Sequence, residues 1–402
     1  MRNPVAAARL ALFGALLAAC VAMAPPSRAT SASGAWRLVD SPLISQGSEL
    51  FNVTALSRDD VWAVGAYGSQ TARTLIEHFD GTRWSVIPSP TVGKYANFLY
   101  GLAAVSPRDI WAVGTYYTRP NSDLRTLILH YDGRAWTRAP SPNSGPGNNG
   151  LGAVTVIPGT KQLWAVGDTT DPRTHLNRTL ILRYSGTDWS VVPSPNVGAY
   201  NTGLGGVAAV SANHAWAVGG YNNSSSTFRA RLVLEWNGAA WKRVSAPIGV
   251  TTTFNLLSRV IAISAHDVWA VGDEFTTIAE HYNGSGWSVV PTAKPPLSAS
   301  GGENTAILYD VSAASSTDIW AVGIYYVSYN AAGGVTRTLA EHWDGAAWHI
   351  VPSPNPDTTG PATGAQSNML FGVAAVPGAN QVWAVGRYLS QGTPKVLIER
   401  YG

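Results

Sequence analysis

The stretch that decides the fold is Asp60-Val61-Trp62-Ala63-Val64-Gly65. Its core, Trp-Ala-Val-Gly, returns at Trp111, Trp164, Trp216, Trp269, Trp320 and Trp383. The spacings are 49, 53, 52, 53, 51 and 63 residues. A fixed period of this size marks a repeat architecture, in which each unit buries its apolar face only against its neighbours. Four copies follow a turn that ends in an acid: Asp60, Asp109, Asp267 and Asp318. Each copy is followed by a second motif, typified by Leu75-Ile76-Glu77-His78-Phe79-Asp80-Gly81 with Trp84 three residues on.

Working outward from the Trp motif, one repeat reads as four strands. In the second, Gly101 to Val105 is small and apolar, residues 110–117 carry the Trp, and residues 125–131 lead to Asp132-Gly133. Residues 135–139 carry Trp136. The Asp-Gly pair predicts a type I′ hairpin turn with positive φ at both central residues. Pro140-Ser141-Pro142 then breaks the sheet and starts the crossing to the next repeat. The second Trp occurs at Trp84, Trp136, Trp189, Trp241, Trp287 and Trp348, one copy fewer than the first. The chain stops in mid-motif at Ile398-Glu399-Arg400-Tyr401-Gly402. The missing half stands at the other end, Gly34-Ala35-Trp36-Arg37-Leu38-Val39-Asp40. Joined, the two ends restore one repeat, which a closed ring needs and which removes two sheet edges. The expectation is an all-β, seven-bladed β-propeller of four-stranded blades over residues 34–402. Its blades cover about 51–89, 99–141, 150–195, 203–246, 254–292, 305–353, and 370–402 with 34–42.

Residues 1–29 read as a targeting segment: Arg2 and Arg9, an apolar run too short to span a membrane, then Pro25-Pro26. Residues 30–33 form a linker. Ser27-Arg28-Ala29 fits signal-peptide cleavage, and Leu17-Ala18-Ala19-Cys20 resembles a lipobox, in which Cys20 would be lipidated. Either route places the mature chain outside the cytoplasm, secreted or at the cell surface. Cys20 is the single cysteine, so no disulfide supports the fold. The formal charge is +3, and Arg2, Arg9 and Arg28 belong to the targeting segment, so the remainder is balanced. That balance argues against nucleic acid and against a polybasic membrane surface.

Topology divides the candidate functional residues. The first and third turns of each repeat share one face and are short. The second connections and the inter-blade crossings share the other face and vary in length, with loops expected at 116–125, 168–178, 221–229 and 325–337. Length variation on one face of a rigid ring is the pattern of a binding face. It carries Tyr116, Tyr117, Tyr221, Tyr325, Tyr326 and Tyr329, together with Asp168, Asp273 and Glu274. Tyr67, Tyr116, Tyr221, Tyr325 and Tyr388 share one repeat column, where a tyrosine can equally serve as a loop staple. The strand histidines His78, His130, His281 and His342 share another column, so they lie far apart in a ring and read as structural. No phosphate loop, nucleophile elbow or zinc motif is present, and no catalytic residue, cofactor or metal is expected. The expected function is non-catalytic binding or scaffolding, with a protein or a cell-envelope or extracellular glycan as partner. The alternative is a carbohydrate-active propeller, lectin or glycoside hydrolase.

The repeat resembles bacterial secreted propellers of the kelch-like and Asp-box-like kind. It is also similar to the photosystem II assembly-factor propellers, whose repeats join an acid-x-Trp-Ala-Val-Gly strand to an Asp-Gly-Trp hairpin. Two departures stand out. The kelch Gly-Gly doublet occurs only at Gly219-Gly220, and Asp80-Gly81-Thr82-Arg83-Trp84 is one residue shorter than an Asp-box. The resemblance implies the fold and transfers no functional residue.

Overall fold

A computed structural model describes residues 34–402, except 43, 45, 46, 69–70, 121, 198, 223–228, 248–254, 297–304, 331–332 and 357–366, and except the side chains of 122, 229, 328–330, 333 and 334. Residues 1–33, where the sequence suggests a targeting segment and Cys20 lies, are outside the described residues. Seven antiparallel four-stranded sheets form the described chain. Blade 1 runs over residues 48–86, blade 2 over 97–138, blade 3 over 149–191 and blade 4 over 202–244. Blade 5 covers 256–290, blade 6 covers 306–350, and blade 7 covers 368–401. Trp36–Leu38 supplies the fourth strand of blade 7. Within each blade the strands are named a to d in sheet order, a facing the axis.

Ring closure follows the expected register. Trp36 pairs with Tyr401, Arg37 with Arg400 and Leu38 with Glu399. The two Trp columns explain why this closes a circle. Each strand-b Trp meets the strand-d Trp of the next blade edge to face. The pairs are Trp62–Trp136 at 5.9 Å, Trp111–Trp189 at 5.7 Å and Trp164–Trp241 at 5.2 Å. They continue with Trp216–Trp287 at 5.2 Å, Trp269–Trp348 at 5.8 Å and Trp320–Trp36 at 5.5 Å. Trp383–Trp84 at 5.3 Å completes the circuit. A buried aromatic removes ~150–250 Å² from water, so this belt is the main apolar cement between blades.

The glycine of Trp-Ala-Val-Gly has a steric cause. Every strand a carries a β-bulge at one position: Phe51, Tyr100, Gly152, Gly205, Ser258, Tyr309 and Phe371. The bulge brings a strand-a carbonyl under the motif glycine. A Cβ on Gly65 would overlap the carbonyl oxygen of Glu49, and one on Gly114 that of Phe98. The other five motif glycines meet the same obstruction.

Two sequence expectations need correction. The Asp-Gly hairpins are not two-residue type I′ turns. Phe79 pairs with Trp84 across four residues, and Gly81 has φ of 93° while Asp80 stays at negative φ. The Asp80 carboxylate accepts from the backbone N–H groups of Thr82 (2.9 Å) and Arg83 (3.0 Å), which holds the wider loop without a second left-handed residue. The described residues within 116–125 and 325–337 are also largely strand, not loop. Strands b and c continue outward as a ribbon, Asp109–Arg119 with Ser122–Tyr131 and Asp318–Asn330 with Gly333–Trp343. The β-branched and aromatic residues of these stretches keep the ladder going.

Candidate functional site

The strand-c histidines resolve first, because they are occupied. Asp109 Oδ1 receives the indole N–H of Trp111 at 2.9 Å and lies 2.8 Å from His130 Nε2, and the imidazole stacks on the same indole at 4.1 Å. Blades 1, 5 and 6 repeat this with Asp60, Trp62 and His78, with Asp267, Trp269 and His281, and with Asp318, Trp320 and His342. Blade 4 exchanges the partners, with His214 at the acid's place and Glu235 at the imidazole's, 3.1 Å apart. Blade 3 substitutes Gln162 and Arg183, bonded at 2.8 Å, with the guanidinium over Trp164. A pair that can be swapped end for end is a structural clasp. We expect His78→Gln and His281→Gln each to cost roughly 1 kcal/mol of stability, the worth of one net hydrogen bond. Urea denaturation measures it, with ligand binding unchanged.

The tyrosine column after the Trp motif packs between blades. Tyr116 and Tyr221 join inter-blade apolar clusters, and each is covered by a strand-d arginine. Arg138 donates to the Tyr116 hydroxyl at 3.1 Å and Arg243 to that of Tyr221 at 2.9 Å. Tyr325 packs into the cluster between blades 5 and 6. Tyr117 and Tyr326 stand half-buried on the projecting ribbons. The side chain of Tyr329 lies outside the described residues. Of the three acids, Glu274 is bound by Arg231, which also reaches Glu280 at 2.6 Å. Asp273 is buried and engaged. Asp168 is half-buried with no hydrogen-bond or ion-pair partner among the described residues, and burial alone pushes its carboxyl above the usual range.

Asp168 lines the feature that sequence reasoning missed, a cavity of about 480 Å³ at the axial mouth on the side of the b–c connections and crossings. One wall is made by the bulge residues of four successive blades, Tyr309, Phe371, Phe51 and Tyr100. Their ring centroids are 5.4, 5.6 and 5.0 Å apart, and the planes turn by 53°, 48° and 48°, each near one-seventh of a full turn. The four rings thus follow the symmetry of the propeller as an arc. In blades 3, 4 and 5 the same bulge holds Gly152, Gly205 and Ser258, and the cavity reaches this small-residue side, with Gly205 and Ser258 in its lining. Burial pushes the phenols of Tyr100 and Tyr309 up to about 12, so both stay neutral.

Arg259 closes the floor. It crosses the axis and donates to the carbonyl oxygens of Gly205, of Gly152 at 3.2 Å and of Tyr100 at 3.4 Å, touching three other blades. Its partner Asp310, 3.7 Å away, lines a second cavity of about 520 Å³ on the opposite side of the plug. Small residues at the equivalent positions, Gly101, Ala153, Gly206 and Gly372, leave the guanidinium room to cross. Among the described residues no cluster of three or more His, Cys, Asp or Glu has the placement of a metal site.

No family model matches the chain, and no curated protein matches it. Solved structures do. YCF48 bound to D1 peptide superposes with a TM-score of 0.54 at 12% identity, over 90% of this chain and 94% of that one. YCF48 from Cyanidioschyzon merolae gives 0.51 at 16% identity, over 91% and 98%. The GH74 xyloglucanase from Xanthomonas campestris gives 0.55 at 14% identity, over 90% of this chain but 55% of that one. At these identities the likeness is one of fold. It agrees with the resemblance of the repeat to photosystem II assembly-factor propellers and spans both a peptide-bound propeller and a glycoside hydrolase.

Proposed function

We propose that this propeller is a non-catalytic binding or scaffold protein, acting outside the cytoplasm and engaging a protein or glycan through the face that carries its crossings and projecting ribbons. The observation that carries this reading is the axial cavity. It opens among variable connections and pairs an aromatic wall with a solitary carboxylate, whereas the opposite face is paved with uniform short turns. Pockets that bind small groups combine an apolar lining with a few placed polar groups. A glycoside hydrolase needs two cooperating carboxylates. Glu274 is tied to Arg231, and Asp168 stands without a second free acid among those expected from sequence. The fold likeness to a peptide-bound YCF48 and to a xyloglucanase is compatible with either ligand class. Secretion, or lipidation at Cys20, rests on the N-terminal sequence alone.

Arrayed peptides and cell-envelope glycans identify the ligand class, and surface variants locate the face. Tyr326→Ala, on a projecting ribbon, is expected to weaken binding by roughly 1–2 kcal/mol, as for an interface anchor. Thr82→Glu and Ala346→Glu, on the short-turn face, are expected to leave it unchanged. Titration calorimetry on the three variants decides between the faces, and loss of binding in the latter two overturns this reading.

A further inference from the structure

Resting on that reading, we propose that the axial cavity bounded by Phe51, Phe371, Tyr309 and Asp168 is a saccharide site, seating a neutral pyranose at the end of a glycan. Three features of the cavity select this chemistry. The aromatic arc covers the side of blades 6, 7, 1 and 2, and it offers flat apolar area to the hydrogen-lined face of a sugar ring. The facing wall mixes glycines and leucines with the polar side chains of Asp168, Asn177, Asn201 and Ser258. Asp168 supplies an acceptor with no hydrogen-bond or ion-pair partner among the described residues. Asn201 and Asn177 use their carboxamide oxygens internally, for the backbone N–H of Asn177 at 2.8 Å and the Thr170 hydroxyl at 3.0 Å. Their amide N–H groups are therefore the ends left for a ligand.

The site thus presents donors and an acceptor together on one side and rings on the other. A hydroxyl is donor and acceptor at once, and a pyranose carries several around an apolar face. An ammonium group fits less well. It satisfies Asp168 and the rings but leaves the amide donors unanswered, and it sits above the guanidinium of Arg259. The volume, about 480 Å³, lies within the ~300–1,000 Å³ of small-ligand sites.

The arrangement also supplies its own blocking variant. Ser258 occupies the bulge position that holds Tyr100 in blade 2 and Tyr309 in blade 6, so that backbone geometry accepts a tyrosine. Ser258→Tyr extends the aromatic arc into the empty half of the ring and fills the cavity from its small side.

The experiment is titration calorimetry of the full mature chain. The probes are the methyl glycosides of glucose, galactose, mannose, xylose and N-acetylglucosamine and their β-linked disaccharides, with tetramethylammonium and a trimethyl-lysine peptide alongside. The expected result is millimolar or tighter binding of at least one saccharide. Asp168→Asn and Phe371→Ala should weaken it tenfold or more, and Ser258→Tyr should abolish it with an unchanged melting temperature. Should Ser258→Tyr fail to fold, Phe51→Ala replaces it, with the same tenfold loss expected. The saccharide assignment is overturned if no sugar in the panel binds, if binding survives Ser258→Tyr or Phe51→Ala, or if only the ammonium probes bind. The broader reading fails separately, by loss of binding in Thr82→Glu or Ala346→Glu.

Discussion

Replacing Trp36 by alanine is expected to lower stability by about 3–5 kcal/mol, the range for truncating a buried aromatic. Trp36 is 5% exposed, stands edge to face with Trp320 and packs on Tyr401 at 5.6 Å. It is the one member of the strand-d Trp column that does not belong to the continuous run of its blade. Deleting residues 36–40 should cost more. The deletion uncovers the edge of the last strand, removes the bond from the Val39 N–H to the Ile398 carbonyl, and displaces Ser41, whose hydroxyl lies 3.1 Å from the buried Glu77 carboxylate. A ring opened at one joint exposes two blade faces together. Thermal melts of wild type, Trp36→Ala, the deletion and Trp136→Ala test this. Trp136 makes the same contact inside a continuous blade. The deletion should therefore melt below Trp136→Ala, and a deletion that melts like wild type overturns the closure.

The closure was legible because both halves of the divided repeat keep their own signals: the terminal Ile398-Glu399-Arg400-Tyr401 and the lone Trp36. Repeat columns expose whatever is common to all blades, and the Trp belt, the motif glycine and the strand count are common. The axial cavity is the opposite case. Phe51, Tyr100, Tyr309 and Phe371 share a position with Gly152, Gly205 and Ser258, so no column marks them. They also sit at a bulge, where the two-residue alternation of a strand is interrupted and two successive residues turn toward the axis. The usable signal was the Leu preceding each of them, Leu50, Leu99, Leu151, Leu204, Leu257, Leu308 and Leu370, which fixes the register. The clasp was legible in part. The histidines stood out, while the acid two residues before each Trp was read as a turn residue. The exchange of His214 and Glu235 shows that the two positions belong together. The Tyr, Ser and Asn content of 116–125 and 325–337 resembles loop composition, whereas their described residues pair as strands.

The second large effect is on pH. Strand c places a glutamate at one position in four blades, Glu77, Glu280, Glu341 and Glu399, each with no exposure, where blades 2, 3 and 4 have Leu129, Leu182 and Leu234. Glu280 has Arg231 for a partner, yet burial still pushes it up to about 7. Among the described residues the other three have no cation beside them. Burial pushes Glu77 up to about 7 against the Ser41 hydrogen bond, and Glu341 and Glu399 up to about 8 against weaker pulls from Ala293 N–H and Ser353. Their ordinary value is 4.5. Between that value and 7–8 the folded protein holds protons on these groups that the unfolded chain has released, so stability falls as pH rises through this window and levels off above it. At about 1.4 kcal/mol per unit, the ceiling is roughly 3–4 kcal/mol for Glu77 and roughly 5 kcal/mol for Glu341 and Glu399. The surface carboxylates of Asp80, held low by the Thr82 hydroxyl and backbone N–H groups, and of Asp132 and Asp344, held low by backbone N–H groups, act in the other sense. Their contribution is lost only on acidification below the ordinary aspartate range, outside this window. The melting temperature is therefore expected to be highest near pH 5 and to drop by roughly 5–10 °C by pH 8, at roughly 1 °C per kcal/mol for a domain of this size. Glu399→Gln keeps the shape and removes the charge, so it should raise the melting temperature at pH 8, leave it nearly unchanged at pH 5, and flatten the profile by roughly a quarter. A wild-type profile that is level or rises from pH 5 to 8 would show that these three carboxyls reach water or a cation in the folded state.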